Sequence, residues 1–205
     1  DNEIKLIKIQ PIIKEALKLI RSSIPTSIEI KQYISTDCGI VKADPTQIHQ
    51  IVMNLATNAY HAMEDTGGVL KVNLKQIELG KQDVISLEME PGPYACLTFT
   101  DTGIGMDKKL TKKIFNPFFT TKELGKGTGM GLSVVHGIVK TAGGSITVYS
   151  EPGKGTEFRV YLPVVKNSTE KQETQPIEPI QGGTERILLV DDESTIASME
   201  KQVLE

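Results

Sequence analysis

The sequence predicts an α/β domain. Three observations carry that expectation. Segments of helical period alternate with segments of two-residue period along the first 165 residues. Several of the boundaries between them bear helix caps or glycine turns. The composition, 39% hydrophobic and 24% charged, is that of an ordinary soluble globular chain. At 205 residues there is room for one good-sized domain and part of another.

The elements follow in order. In residues 11–22, Ile12, Ile13, Leu17 and Ile20 recur near helical spacing behind Pro11, a residue suited to a first turn. Ile28, Ile30 and Ile34 mark one face of a strand over 27–34. Asp44-Pro45-Thr46-Gln47 is a helix start, with Asp as N-cap, Pro at N1 and Gln at N3, and the helix should reach Met63 before the Gly67-Gly68 turn. A strand is expected over 69–79, a polar hairpin connection to Pro93, and a second strand over 94–100. Residues 101–131 hold six of the 18 glycines and should be mostly loop, with a short helix around 108–114. Leu132, Val135, Ile138 and Val139 make a helix to Thr141, stopped by Gly143-Gly144. Strands over 145–150 and 157–162 flank a turn-rich Pro-Gly-Lys-Gly loop. Residues 166–185 have the composition of a linker, and 186–205 open with a buried-type strand but are too few to bury a core of their own. The expected organisation is one complete domain over 1–165, a tether, and the stub of a second α/β domain.

Composition also excludes functions. Aromatics are only 5% with no Trp, and Lys+Arg 23 against Asp+Glu 26 leaves a formal charge of −3, so neither a stacking platform nor a basic footprint for nucleic acid is expected. No window approaches the ~18 consecutive apolar residues of a membrane span. The N-terminal residues do not resemble a signal peptide, so no membrane contact and a cytoplasmic location are expected. Cys38 and Cys96 lack metal-ligand spacing and are expected as buried free thiols. The absence of a leader and the abrupt end suit a piece of something longer.

Chemistry concentrates between residues 44 and 156. Asn54 and Asn58 lie four apart on one helix face with His61 a further turn along, either a polar cleft wall or a solvated face. Asn is mildly unfavourable inside a helix, because its amide competes for backbone partners. Asp101-Thr102-Gly103-Ile104-Gly105 sets a carboxylate at a strand end before two glycines. Such an Asp can accept a bond from an exocyclic amine while glycine lets a flat ring approach, or it simply caps a turn. Gly125, Gly127, Gly129 and Gly131 alternate before a helix, in a loop able to turn backbone N–H groups toward an anion, or else a mobile surface flap. This loop is neither the Walker A nor the dinucleotide fingerprint. Phe115, Phe118 and Phe119 should anchor the loop, with Lys122 in reach of a phosphate.

The order Asn-helix, DxGxG, FxPFFTTK, GxGTGMG and GKGTxF resembles the catalytic and ATP-binding domain of sensor histidine kinases, in the gyrase, Hsp90, histidine kinase and MutL superfamily. The resemblance covers residues 1–165. It implies a two-layer α/β sandwich of the Bergerat type, a mixed sheet packed on helices, with MgATP between helices and a flexible lid. By position, Asn58 corresponds to the Mg²⁺ ligand and Asn54 lines the same site, with His61 near the phosphates. Asp101 corresponds to the acid that reads the adenine amine, Thr156 helps it, and Gly103 and Gly105 lie beneath the base. Lys122, Gly127, Thr128, Gly129, Met130, Gly131 and Leu132 form the lid and the helix start around the phosphates.

One departure bears on the reaction. Hydrolases of the superfamily place a water-activating Glu four residues before the metal Asn, and here that position is Asn54, which is no general base. Transfer of the γ-phosphoryl to an acceptor on another domain is therefore expected rather than hydrolysis. None of His49, His61 and His136 stands in the family's phosphoacceptor setting. The acceptor is expected on an upstream dimerisation domain, with residues 1–10 as the connection leaving it. Ile187 to Glu193 resembles the first strand of a response-regulator receiver with Asp191 and Asp192 as its acidic pair, which points to a hybrid kinase. This chain is expected as a monomer and the intact kinase as a homodimer, working with a receiver domain or response regulator. The competing readings are a superfamily ATPase and a non-catalytic nucleotide-binding module.

Overall fold

The computed structural model describes residues 4–84, 89–121 and 128–165. The chain divides into two compact units, 1–166 and 167–205, and every described residue lies in the first. The expected linker and receiver stub, with Asp191 and Asp192, lie outside the described residues.

The elements are β1 (Lys5–Ile7), α1 (Ile9–Ser23), β2 (Ile28–Ile34), β3 (Val41–Ala43), α2 (Pro45–Met63), β4 (Gly68–Leu79), α3 (Lys81–Val84), β5 (Gly92–Asp101), α4 (Lys108–Thr111), α5 (Gly131–Thr141), β6 (Ser145–Glu151) and β7 (Gly155–Pro163). Five strands form one sheet in the order β2-β4-β5-β7-β6. β2 runs parallel to β4 and the other three pairings are antiparallel, so the sheet is mixed. One face carries Leu70, Val72 and Leu74 of β4, Leu97 and Phe99 of β5, and Phe158 and Val160 of β7 into a core shared with α1, α2 and α5. This is the α/β domain that the alternating periods predict, in the two-layer form that the resemblance implies. On the opposite face, a smaller cluster of Leu79, Val84, Tyr94, Cys96 and Tyr161 covers one end. Cys38 and Cys96 are buried free thiols.

α2 forms where the sequence announces it. The Asp44 side chain, itself 4% exposed, accepts a bond from the Thr46 N–H at 2.7 Å, and Pro45 occupies the first turn. Ile48, Ile51, Leu55 and Met63 are fully buried beneath it. At about 1.5–3 kcal/mol for each such side chain, they hold the helix rigidly enough to fix what stands on its flank. Asn54, Asn58 and His61 stand there, half-buried.

Two expectations are corrected. Residues 4–10 of the expected connection are themselves built into the domain: β1 pairs with β3 as a second, two-stranded sheet, and Ile9 and Gln10 are buried in the first turn of α1. Gln10 Nε2 donates to the Cys38 carbonyl at 2.6 Å, tying that turn to the segment before β3. The phenylalanines do not act together as an anchor either. Phe115 packs on the ring of His136 at 5.4 Å, but Phe118 adopts φ 64° and is 75% exposed. The short helix before them ends at Thr111 rather than 114.

Candidate functional site

β5 ends at Asp101, directly opposite Leu70 of β4 and Thr156 of β7. Beyond that end lies a cavity of about 510 Å³. The Asn54, Asn58 and His61 flank of α2 forms one wall, and Asp101, Thr156 and Phe158 form the floor. The loop from Ile104 to Met106, with Leu110 and Ile114, closes a second side. Thr128, Gly129, Gly131 and Leu132 bring the start of α5 to the rim. A Cβ on Gly131 would stand 3.3 Å from Asn54 Oδ1, so that start adjoins the asparagine wall directly.

The floor is an acid held in a fixed attitude. Asp101 is 5% exposed, and both backbone bonds it accepts go to one oxygen: Gly103 N–H donates to Oδ1 at 2.9 Å and Thr156 N–H at 3.2 Å. Oδ2 takes neither of them. Burial pushes the carboxyl above the ordinary Asp range, and the two N–H bonds pull it partly back. A buried carboxylate with one oxygen spent on the backbone is a strong, directional acceptor for a polar donor entering the cavity.

The loop after Asp101 is clamped on both sides. Ile104 N–H donates to the Ala62 carbonyl of α2 at 3.0 Å, and Gly153 N–H, in the β6–β7 turn, donates to the Ile104 carbonyl at 2.7 Å. A Cβ on Gly103 would overlap the Ala62 backbone oxygen. Gly105 has φ +65°, and a Cβ there would overlap the Glu151 carbonyl. Both glycines thus answer to protein packing, from α2 on one side and the hairpin turn on the other. Gly105 also lines the cavity.

A second groove, about 700 Å³, lies on the outer face of β5, β7 and β6. Asp101 and Thr156 reach its edge too, but its Lys, Arg and Glu charges are satisfied among themselves. Lys154 pairs with Glu151 and Arg159 with Glu157, and the Tyr149 hydroxyl also bonds Glu151. The inner cavity instead presents uncommitted polar groups: among the described residues, neither Asn54 nor Asn58 engages its amide in a hydrogen bond. It is the better candidate.

Residues 43–166 match the family described as histidine kinase-, DNA gyrase B-, and HSP90-like ATPase. The chain belongs to that family. It is similar to the sensor kinase CckA of Brucella abortus (strain 2308), 34% identical over 204 residues, which are 94% of this chain and 21% of that protein. Sporulation kinase E of Bacillus subtilis (strain 168) is 33% identical over 147 residues, 72% of this chain and 18% of its own length. Among solved structures, the mycobacterial sensor histidine kinase MprB superimposes with TM-score 0.63 at 25% identity, covering 78% of this chain and 97% of that one. The chain thus spans about a fifth of the length of these two relatives. The matched region is an ATPase-like domain of the kind that these sensor kinases carry.

Within this histidine-kinase-like domain, ten of the residues singled out from sequence line the one cavity: Asn54, Asn58, His61, Asp101, Gly105, Thr128, Gly129, Gly131, Leu132 and Thr156. Gly103 lies just behind its wall, and Met130 is 43% exposed and is not among the lining residues. Lys122 and Gly127 lie outside the described residues. Sequence reasoning missed the apolar lining of Ile104, Met106, Leu110 and Ile114. The only available signal was their position beside the DxGxG motif. It also missed Ser150, which lies behind the floor and gives no local signal at all.

The donor set suits Mg²⁺ only in part. The amide oxygen of Asn58 is a hard ligand of the right type, and Mg²⁺ is characteristically held by few protein groups plus phosphate and water. Among the described residues, no three His, Cys, Asp or Glu side chains gather to hold a resident ion. The residues therefore fit an ion that arrives on a phosphate chain rather than one caged by protein. No helix among the described residues is long and apolar enough to cross a membrane.

Proposed function

We propose that this domain binds MgATP in the inner cavity and, in the intact protein, donates the γ-phosphoryl group to a histidine on a dimerisation domain that precedes it. The observation that carries this reading is Asp101. Its buried carboxylate, fixed through Oδ1, leaves Oδ2 to accept from the adenine amine, with Thr156 beside it. The phosphate chain then runs toward the asparagine wall and the start of α5. There the unpaired N–H groups of an 11-residue helix with no side-chain cap favour anionic oxygens.

Asn58 would supply the protein ligand to Mg²⁺, with Asn54 and His61 against the phosphates. Lys122 and Gly127 are assigned to the phosphates on the order of the motifs alone. The ion, when bound, neutralises charge on the phosphate oxygens. In the transfer, a histidine ring nitrogen forms a bond to the γ-phosphorus as the bond to the bridging oxygen breaks, and ADP leaves with the electron pair. Asn54, standing where hydrolases carry Glu, removes the group that would hand the phosphoryl to water. The cavity's task is positioning. The acceptor's task belongs to a partner, and the product phosphohistidine would serve a receiver domain or response regulator. We infer a monomer for this chain, a homodimer for the intact kinase, and the cytoplasmic side as its place of work.

Calorimetric titration with a non-hydrolysable ATP analogue, with and without Mg²⁺, checks this. The expected result is Mg²⁺-enhanced binding of the adenine nucleotide in preference to GTP. Equal binding of both, or none, would overturn it. Steady phosphate release by this chain alone would instead favour an ATPase.

A further inference from the structure

Behind the cavity floor lies a hydroxyl network whose polarity can be worked out atom by atom. Ser150 of β6 is not among the residues lining the cavity, yet its Oγ makes three contacts. Met106 N–H donates to it at 2.8 Å, the Gly155 carbonyl lies at 3.0 Å, and Thr156 Oγ1 lies at 2.9 Å. A serine hydroxyl has one proton and two lone pairs. The Gly155 carbonyl can only accept, so the Ser150 proton goes there. The Met106 N–H can only donate, so it takes one lone pair. The contact with Thr156 must use the remaining lone pair, which makes Thr156 the donor.

We propose that Ser150 is a positioning residue that sets nucleotide-base specificity by fixing the Thr156 hydroxyl as an acceptor toward the cavity. With its proton spent on Ser150, Thr156 presents only lone pairs on the cavity floor that it shares with Asp101. The floor is then a pair of acceptors. It accepts from an exocyclic amine and repels a carbonyl oxygen at the same place. Selection of a 6-amino over a 6-oxo purine thus begins one residue behind the contact surface. The inference rests on the nucleotide reading above and deepens it.

The experiment uses the full chain with Ser150→Ala, Thr156→Val and the double variant. Each is titrated calorimetrically with non-hydrolysable ATP and with inosine triphosphate, which carries a 6-oxo group in place of the amine. Thermal midpoints are recorded alongside. In Ser150→Ala the Thr156 hydroxyl is free to turn and donate to the 6-oxo group. The Kd ratio of inosine to adenosine nucleotide should then fall roughly tenfold, the worth of one neutral hydrogen bond. In the Thr156→Val background the same change should alter the ratio less than about twofold, since the group it acts through is gone. Ser150→Thr, which keeps the hydroxyl, should retain the unmodified ratio. Should Ser150→Ala not fold, Ser150→Cys reads the same ratio with a weaker donor of similar shape. Equal weakening of both nucleotides by Ser150→Ala, or an undiminished effect on top of Thr156→Val, would overturn the relay. Failure of the unmodified protein to bind ATP would overturn the functional reading itself, and the two failures are distinct.

Discussion

Gly103→Ala separates two explanations of the DxGxG motif, because they place the cost in different states of the protein. If the glycine serves a ligand, the nucleotide-free fold should tolerate a methyl group. The structure says otherwise: the new Cβ would overlap the Ala62 backbone oxygen and crowd the Ala62 Cβ, none of them the far end of a flexible side chain. The loop must lift from α2, and the 3.0 Å bond from Ile104 N–H to the Ala62 carbonyl stretches or breaks. Overpacking of about 1–3 kcal/mol plus a hydrogen bond of about 0.5–1.5 kcal/mol gives an expected loss of about 1.5–4.5 kcal/mol without any nucleotide. Urea denaturation of the ligand-free protein measures it, as a lowered midpoint with an unchanged slope. ATP affinity should fall as well, because the same loop forms a wall of the cavity. Stability within about 0.5 kcal/mol of the unmodified protein, combined with collapsed ATP affinity, would refute the packing argument.

Asp101→Asn should lower ATP affinity by about 1.5–3 kcal/mol, the worth of a hydrogen bond to a charged group, read by calorimetry. The same variant should raise the thermal midpoint of the nucleotide-free protein at neutral pH, since burial disfavours the Asp101 charge; an unchanged or lowered midpoint would count against that. The pH dependence follows in sign. With its folded-state value raised, this group's contribution to stability is full below the unfolded pKa and is lost as pH rises through the folded one. ATP affinity runs the other way and should begin to fall on acidification while ordinary Asp residues are still ionised. Asp44→Ala should cost about 1–2 kcal/mol in denaturant melts through the lost N-cap of α2, and a negligible change would mean the Thr46 N–H finds another partner.

Features that depend on neighbours in sequence were legible beforehand. Asp44-Pro45 announced α2 to the residue, because a cap and a first-turn proline act within four positions. The alternation in β4, β5, β6 and β7 and the glycine stop after α5 were equally local. β1 and β3 were not legible: three residues show no period, and they exist because each pairs with the other and Val41 bridges to Val164. Asn54, Asn58 and Asp101 stood out because polar side chains at those positions need a reason. What the sequence could not show is who touches whom across the fold. Gly103 meets α2, Ser150 reaches Met106 across 44 positions, and Phe118 turns outward at a positive φ. Those contacts decide why the motif glycines are glycine and why the floor presents acceptors.

The most direct measurement is a crystal structure of the chain with Mg²⁺ and a non-hydrolysable ATP analogue. The account predicts the adenine amine within hydrogen-bond distance of Asp101 Oδ2, the phosphates between Asn58 and the start of α5, and Thr156 still bonded to Ser150. A nucleotide seated in the outer groove beside Arg159 and Lys154, or an adenine turned away from Asp101, would contradict it.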